Sequence, residues 1–309
     1  MTVIRTPPER LVAPVYRNPA TCEFASATTV VQSLTVQVAV VGHVEWVEFI
    51  SVRSMPVVGE IVHAHSWHEE PGGGGAGAAV QLAKLAGGAL FLTALGDDER
   101  GRLARARLED LGVEVHAVVR PEPTRRAVTH IDATGERTIT VLGDRLAPLG
   151  EDDLPWRRLA SMDAVYFTAG DDAALRHARC AGVLVATARA LPLLRSAGLE
   201  LDALVGSAGD ESEAFGASDV APAPRACVWT NGANGGTYWT KSERGSYRAA
   251  SAARIVDRYG AGDSFAAGLT YGLGVGMGLG RALDLAARCG AAVVAGRGPY
   301  EGQLRLTDL

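Results

Sequence analysis

Short apolar runs that alternate with stretches of helical period constrain this chain more than any other feature. The first, Val36-Gln37-Val38-Ala39-Val40-Val41, is nearly continuous and is ended by Gly42. A strand with one wet face alternates polar and apolar side chains; a run without alternation needs cover on both faces, as in a parallel sheet. Further runs of this kind are Leu90–Leu95, Ala164–Thr168, Val183–Ala186, Ala203–Val205 and Cys227–Thr230. Between them, Ala76, Ala79, Val80 and Ala83 recur at helical spacing before Gly87-Gly88, and a charged segment runs from Asp98 to Leu111. Small-residue helices are expected at about 262–273 and 280–295. The alternation predicts an α/β fold, a mostly parallel sheet flanked by helices on both faces. Two stretches, near residues 44–70 and 115–142, depart from it: the first alternates loosely around Pro56 and Gly59, and the second turns at Ala133-Thr134-Gly135-Glu136. They predict a small separate β-sheet.

With 309 residues, the chain is long enough for one large domain of this kind. Residues 1–34 are rich in Pro, Thr and Ser without a period, and read as an N-terminal extension before a domain over 35–309. The net charge of −5, with no run of Lys or Arg, predicts no nucleic-acid partner. No uninterrupted apolar stretch reaches the roughly 18 residues of a membrane span. Arg5, Pro7, Pro8, Glu9 and Arg10 break any secretory h-region, and Cys22, Cys180, Cys227 and Cys289 lie far apart with no C-x-x-C pair. A reducing, cytoplasmic setting is expected.

The most informative segment is Asp257-Arg258-Tyr259-Gly260-Ala261-Gly262-Asp263. Its Gly-Ala-Gly turn opens a helix, where successive backbone amides converge on an anion and glycine lets phosphate oxygens approach. A carboxylate at such a nest is costly unless it has a task, and accepting a proton from an attacking hydroxyl is one. The alternative is that Asp263 only caps the helix.

The segment resembles the C-terminal signature of the ribokinase-like (PfkB) carbohydrate kinases, and the resemblance extends over most of residues 36–300. Pro71 to Ala79, with Gly72-Gly73-Gly74-Gly75-Ala76-Gly77 at its centre, is similar to the family's N-terminal glycine signature. Leu95-Gly96-Asp97-Asp98-Glu99-Arg100-Gly101 is similar to the motif that follows. Gly42-His43-Val44 with Pro56–Glu60, Thr124-Arg125-Arg126 and Gly135–Ile139 look like its first strand and its lid. Thr230-Asn231-Gly232-Ala233-Asn234-Gly235 resembles the nucleotide loop. The resemblance implies a ribokinase-like fold with a β-sheet lid, and an ATP-dependent kinase acting on a hydroxyl of a sugar or polyol, with Mg2+ and a monovalent cation such as K+. It implies Asp263 as the base, and the amides of Ala261, Gly262 and Asp263, after the catalytic turn at Gly260, as the anion hole. Ser207, Thr230, Gly232 and Gly235 would hold the nucleotide, and Gly73, Gly74, Gly77 and Arg137 the acceptor, with Glu45 as a candidate replacement contact from its place on the same strand end. Asp210 would serve the magnesium shell, and Asp257, with carbonyls near Tyr259, Val294 and Arg297, the monovalent cation. A homodimer through the lid is expected on the same ground. Taken without the family, the Thr230–Gly235 loop also reads as an ordinary glycine turn, and Asp257 as a plain strand-end residue.

Three positions depart from the family pattern. Its N-x-x-E, which orders the water shell of magnesium, becomes Ser207-Ala208-Gly209-Asp210, with shorter or weaker ligands; Asp210 also reads as a helix-start carboxylate near Glu211 and Glu213. The family's sugar-holding Asp and Asn become Val47 and Gly77, with Glu45 and Glu48 as displaced carboxylates. A pocket without those two side chains cannot repeat their hydrogen bonds, so ribose is not the expected acceptor. These departures also leave open a non-catalytic sugar- or nucleotide-binding protein on the same fold. His63, His65 and His68 are close enough to suggest a metal site, but one strand face holds only two of them, so lid packing or substrate contact is the favoured reading. The Gly272–Gly280 run echoes a dinucleotide fingerprint without the preceding strand, and reads as a helix–helix connection.

Overall fold

The computed structural model describes residues 36–309; the extension expected over residues 1–34 lies outside the described residues. The chain enters a large sheet with β1 (Val38–Val41), leaves it for β2 (Glu45–Ser51) and β3 (Ser66–Gly72), and returns through α1 (Gly73–Ala86) to β4 (Ala89–Gly96), α2 (Glu99–Asp110) and β5 (Val113–Arg120). A hairpin of β6 (Arg126–Ile131) and β7 (Arg137–Leu142) follows. The large sheet then grows through β8 (Ala164–Phe167), α3 (Asp172–Arg179), β9 (Val183–Thr187), α4 (Leu191–Ala197), β10 (Ala203–Ser207), β11 (Ala226–Thr230), β12 (Gly236–Thr240) and β13 (Arg244–Tyr247). Helices α5 (Ala261–Gly274) and α6 (Leu279–Val293) complete it.

The nine strands run in the order β13-β12-β11-β10-β9-β8-β1-β4-β5, parallel from β5 to β11 and antiparallel at the β12–β13 edge. Every residue of β1, β4 and β8 is buried, because helices cover both faces. Side chains of α1, α2, α5 and α6 pack one core against the sheet, and α3 and α4 pack the other. This is the α/β architecture that the alternating runs predict. Chain order reverses at β1, between β4 and β8, and such a switch point opens a crevice at the carboxyl ends of the strands.

A second, four-stranded sheet has the order β3-β2-β6-β7. Its apolar face gathers Val47, Phe49, Ala127 and Ile131 around Tyr259, which comes from the segment before α5. Val47 is fully buried there. One boundary is corrected. Residues 115–120, the start of the second stretch assigned to the lid, belong to the large sheet, because β5 pairs along its whole length with β4, from Ala89↔Val113 to Gly96↔Arg120. The Gly272–Gly280 run spans the end of α5, the connection over residues 275–278 and the start of α6.

Candidate active site

The carboxyl ends of β1, β9, β10 and β11 and the lid hairpin enclose a cleft of about 1180 Å3. That exceeds the roughly 300–1,000 Å3 of a pocket for one drug-sized ligand, so two ligands fit side by side.

At its centre is the start of α5. Gly260 has φ 76°, a left-handed conformation that glycine adopts without a Cβ penalty. The first intrahelical bond runs from the Ser264 amide to the Gly260 carbonyl at 2.9 Å. The amides of Ala261, Gly262 and Asp263 therefore have no helical acceptor, and these residues line the cleft. Asp263 is brought up against the first turn of α1. A Cβ on Gly74 would lie 3.0 Å from Asp263 Oδ1, and one on Gly77 would lie 3.4 Å from Asp263 Cβ. The missing side chains are what let the two helix starts meet. Burial pushes the Asp263 pKa above the ordinary carboxylate range; Arg189, His43 and Arg137 pull it back, and Glu45 adds to the rise. A carboxylate held this way is a better proton acceptor than one in water.

Beyond Asp263, towards the lid, are His43, Glu45, Arg125, Arg137 and Arg145. Glu45 is buried, with Oε1 3.6 Å from His43 Nε2 and 3.3 Å from an Arg125 nitrogen. Burial raises its pKa, but the His43 hydrogen bond and the charges of His43, Arg125 and Arg145 outweigh that and leave it low. Burial holds His43 below its usual pKa against the pull of Glu45, and its Nδ1 has no hydrogen-bond partner. Arg145 is depressed by desolvation first and by Arg125 and Arg189 next, with Glu45 opposing. Among the described residues no acidic side chain is within ion-pair distance of Arg137 or Arg145. Gly73 is fixed at this end by its amide, which donates to Tyr259 Oη at 3.0 Å.

On the opposite side are Ser207, Asp210, Thr230, Gly232 and Gly235. Thr230 donates to the Gly206 carbonyl at 3.3 Å. Gly235, at φ 79°, returns the loop into β12 where a Cβ would lie 2.1 Å from the Tyr247 carbonyl. The wall beside it is built of small residues, Ala249, Ala250, Ala287, Gly290 and Ala291. Asp210 accepts from the Ser212 amide at 3.0 Å and hydroxyl at 2.6 Å, which with Arg189 holds its pKa low. Ser207 accepts from the Gly209 amide at 3.2 Å. Two side chains here escaped the sequence reading. Arg189, on the turn after β9, binds Glu213 at 2.6 Å and Asp210 at 3.3 Å. Glu213, buried, also accepts from the Ser207 amide at 2.9 Å, and burial raises its pKa against the pull of Arg189. The signal for Glu213 was present: Asp210-Glu211-Ser212-Glu213 repeats the acid spacing one step further along the chain.

Asp257 is almost wholly buried, with Oδ1 accepting from the Tyr259 amide at 2.8 Å and Oδ2 from the Gly298 amide at 2.9 Å. The Val294 carbonyl already accepts the Val256 and Asp257 amides at 2.8 and 3.3 Å. Each carboxylate oxygen thus accepts one backbone amide. His63 and His65 are exposed and His68 stacks on Phe49 with centroids 4.8 Å apart; among the described residues no three His, Cys, Asp or Glu side chains form a metal-holding group. No helix among them is long and apolar enough to cross a membrane.

A model of the pfkB family carbohydrate kinases matches residues 36–191 and 193–305. An ATP-dependent ribose-1-phosphate kinase of Halopiger xanaduensis is 31% identical over 283 residues, covering 85% of this chain and 93% of that protein. A fructokinase of Salmonella typhimurium is 29% identical over 278 residues, covering 76% and 90%. In three dimensions the chain is similar to a putative ribokinase from Agrobacterium tumefaciens, with a TM-score of 0.75 at 22% identity over 88% of this chain and 95% of that one.

Proposed function

The chain belongs to the pfkB family of carbohydrate kinases, phosphotransferases with a hydroxyl acceptor, and from that premise we propose that it uses ATP to phosphorylate a pentose that already carries a phosphate, ribose 1-phosphate being the first candidate. One observation carries the acceptor class. The acceptor end of the cleft presents Arg125 and Arg145 beside Glu45. Val47 is buried in the apolar face of the small sheet and Gly77 lies within α1 against Asp263, its carbonyl accepting from Gln303, so neither offers a hydroxyl-holding side chain. Two guanidiniums gathered at one end of a cleft suit an anion between them, and Arg is the side chain suited to a phosphate. The related Halopiger protein bears the name of an enzyme with such an acceptor.

The chemistry follows from the placement of the groups. Glu45 and His43 orient the sugar, and Asp263 takes the proton of its hydroxyl as the new oxygen–phosphorus bond forms. The bond between the β-phosphate oxygen and the γ-phosphorus breaks, its electrons leave on ADP, and the proton passes from Asp263 to solvent. The amides of Ala261, Gly262 and Asp263, at the positive end of α5, stabilise charge on the transferred group; donors of this kind supply about 2.7–4 kcal/mol each in known cases. Arg189 and Arg137 supplement them from the two sides. Magnesium supplies neutralisation of the polyphosphate and keeps most of its waters. When the ion is bound, Asp210, tied to Ser212 and Arg189, and Glu213 would be the carboxylates to hold it. The small-residue wall at Ala249, Ala250 and Gly290 leaves a flat slot for the base, next to Thr230, Gly232 and Gly235. Asp257 fixes the two loops behind the anion hole, and its spare lone pairs suit a monovalent cation such as K+.

Val58, Ile61 and Trp67 lie exposed on the lid segment, which supports pairing of two lids; sedimentation at micromolar protein distinguishes dimer from monomer. The free thiols of Cys180, Cys227 and Cys289 and the use of ATP suit the cytoplasm. The binding-only reading has no support, since the curated relatives are kinases.

ADP release with ribose 1-phosphate, ribose, fructose and inosine as acceptors tests the proposal. Ribose 1-phosphate is expected to exceed ribose in kcat/KM by at least about 10²-fold, and Arg145→Ala to lower that value by roughly 10–100-fold, the loss of one charge-assisted bond. Equal use of ribose, or an Arg145→Ala enzyme with unchanged kinetics, removes the phosphate-bearing acceptor.

A further inference from the structure

Outside the cleft, a second concavity of about 380 Å3 lies between β3, α1, α2 and the C-terminal segment 297–305. Its walls hold four basic side chains, Lys84, Arg107, Arg297 and Arg305, with His68 at the rim, against two carboxylates. Both carboxylates are engaged. Glu70 Oε1 takes two nitrogens of Arg107 at 2.6 and 3.1 Å, and Glu301 accepts the Arg297 amide at 2.8 Å. Among the described residues no acidic side chain pairs with the guanidinium of Arg297 or Arg305, nor with the Lys84 amine, whose hydrogen bond goes to the Tyr300 carbonyl. Burial first, and Arg305 and Arg107 after it, bring the Lys84 pKa down to about 8, with Glu70 opposing.

We propose that this socket is an effector site for a phosphate group, free or as the monoester of a small metabolite, held by Lys84, Arg297 and Arg305. A half-buried ammonium crowded by two guanidiniums is an arrangement that a dianion relieves. A small phosphate also fits the volume, and the two arginines offer forked donors that match its oxygens. The floor of the socket is Tyr300, which is 3% exposed. Its hydroxyl donates to the Pro71 carbonyl at 2.6 Å, next to the glycine run that opens α1. One residue before Pro299, the Gly298 amide binds Asp257, which in turn holds the Tyr259 amide ahead of the anion hole. An anion in the socket thus ties β3 and α1 to the segment that braces the active site, without entering it.

The test reads binding without turnover, so it stands or falls separately from the acceptor proposal. Thermal unfolding of the full chain is followed as chloride is replaced by inorganic phosphate, and in a second arm by glycerol 3-phosphate, at constant ionic strength. Stabilisation grows with ligand concentration according to the affinity for the folded state. In the cleft variant Arg145→Met, which removes the contribution of any phosphate held at the acceptor end, stabilisation by phosphate is expected to persist. Lys84→Met and the exposed Arg305→Met are expected to need at least about tenfold more phosphate for the same shift. Arg305→Met keeps the test valid if Lys84→Met fails to fold. A shift in one arm only identifies whether the free ion or the monoester is the ligand. No shift in the parent in either arm overturns the proposal. So does a shift that survives in Arg305→Met and disappears in Arg145→Met, because that places the phosphate in the cleft.

Discussion

Asp263 is a strained choice of residue, since a charge is being kept where burial disfavours it, and this gives opposite expectations for activity and stability. As the proposed base, Asp263 would work only when ionised, so kcat/KM is expected to fall as pH drops through its raised pKa, above the ordinary value of about 3.9. Arg189→Met removes the first of the charges that lower this pKa, so the acid limb of the pH–rate profile should move to higher pH. For stability, a carboxyl with a folded pKa above its unfolded one favours the fold most at low pH, and that benefit is lost as pH rises from the unfolded to the folded value. Asp263→Asn should therefore lower turnover by at least about 10²-fold and yet raise the melting temperature at neutral pH; a fall in both would mean that the carboxylate braces the fold. Beside it, the proposed mechanism gives Asp210 and Glu213 a task that the sequence reading gave to Ser207 and Asp210. Glu213→Gln is expected to raise the magnesium concentration for half-maximal rate by more than Asp210→Ala does, because Glu213 is the buried member of the pair; identical magnesium titrations for the two variants and the parent would leave both as supports for Arg189.

Among the elements, the lid hairpin has the tightest dependence on a single backbone position. Gly135 stands at φ 75° at the β6–β7 turn, where a Cβ would lie 2.9 Å from Ile255 Cγ2. Its carbonyl accepts the Arg258 amide at 3.2 Å, and Glu136 pairs with Arg258 at 3.5 Å. Gly135→Ala should cost about 1–2 kcal/mol in unfolding free energy and raise the acceptor KM, since the turn would lift off the segment that leads to the anion hole; denaturant titration and initial rates measure the two. The elements most legible in the sequence were those whose environment is uniform. β1, β4 and β8 are covered on both faces, so their runs are apolar throughout and announce themselves. β12 and β13 were missed because Gly-Thr-Tyr-Trp-Thr and Arg-Gly-Ser-Tyr form a half-exposed sheet edge, with neither a continuous apolar run nor a clean period. The first residues of the second lid stretch were misplaced for a related reason. β5 is itself an edge, its alternation of buried and exposed side chains looks like that of the lid strands, and only pairing with β4 distinguishes them.

At the scale of the whole molecule, the site was readable where one short segment carries it and unreadable where the fold assembles it from afar. Gly260 to Asp263 stand together in the chain. His43, Arg125, Arg145 and Arg189 come from four separate connections and meet only because β1, β9 and the lid strands end at one rim of the cleft. No spacing rule joins them. The same dispersal governs the lid, whose apolar centre is completed by Tyr259 from the large-sheet side, with Phe49 packed edge-on to its ring at 4.9 Å. Tyr259→Phe, which keeps the ring and loses the acceptor for the Gly73 amide, should leave the melting temperature nearly unchanged while reducing turnover. Tyr259→Ala should lower both, by about 3–5 kcal/mol for the lost aromatic packing; equal melting temperatures for the two variants would show that the ring does not hold the lid. Shared ownership of that ring also bears on how such a protein can change by recombination. A lid taken from a relative to bring a new acceptor preference would arrive without its own keystone, and would meet a tyrosine shaped to the old one. Exchange of the lid is therefore expected to succeed only when residue 259 travels with it, so that two stretches of the gene more than a hundred codons apart must be inherited together.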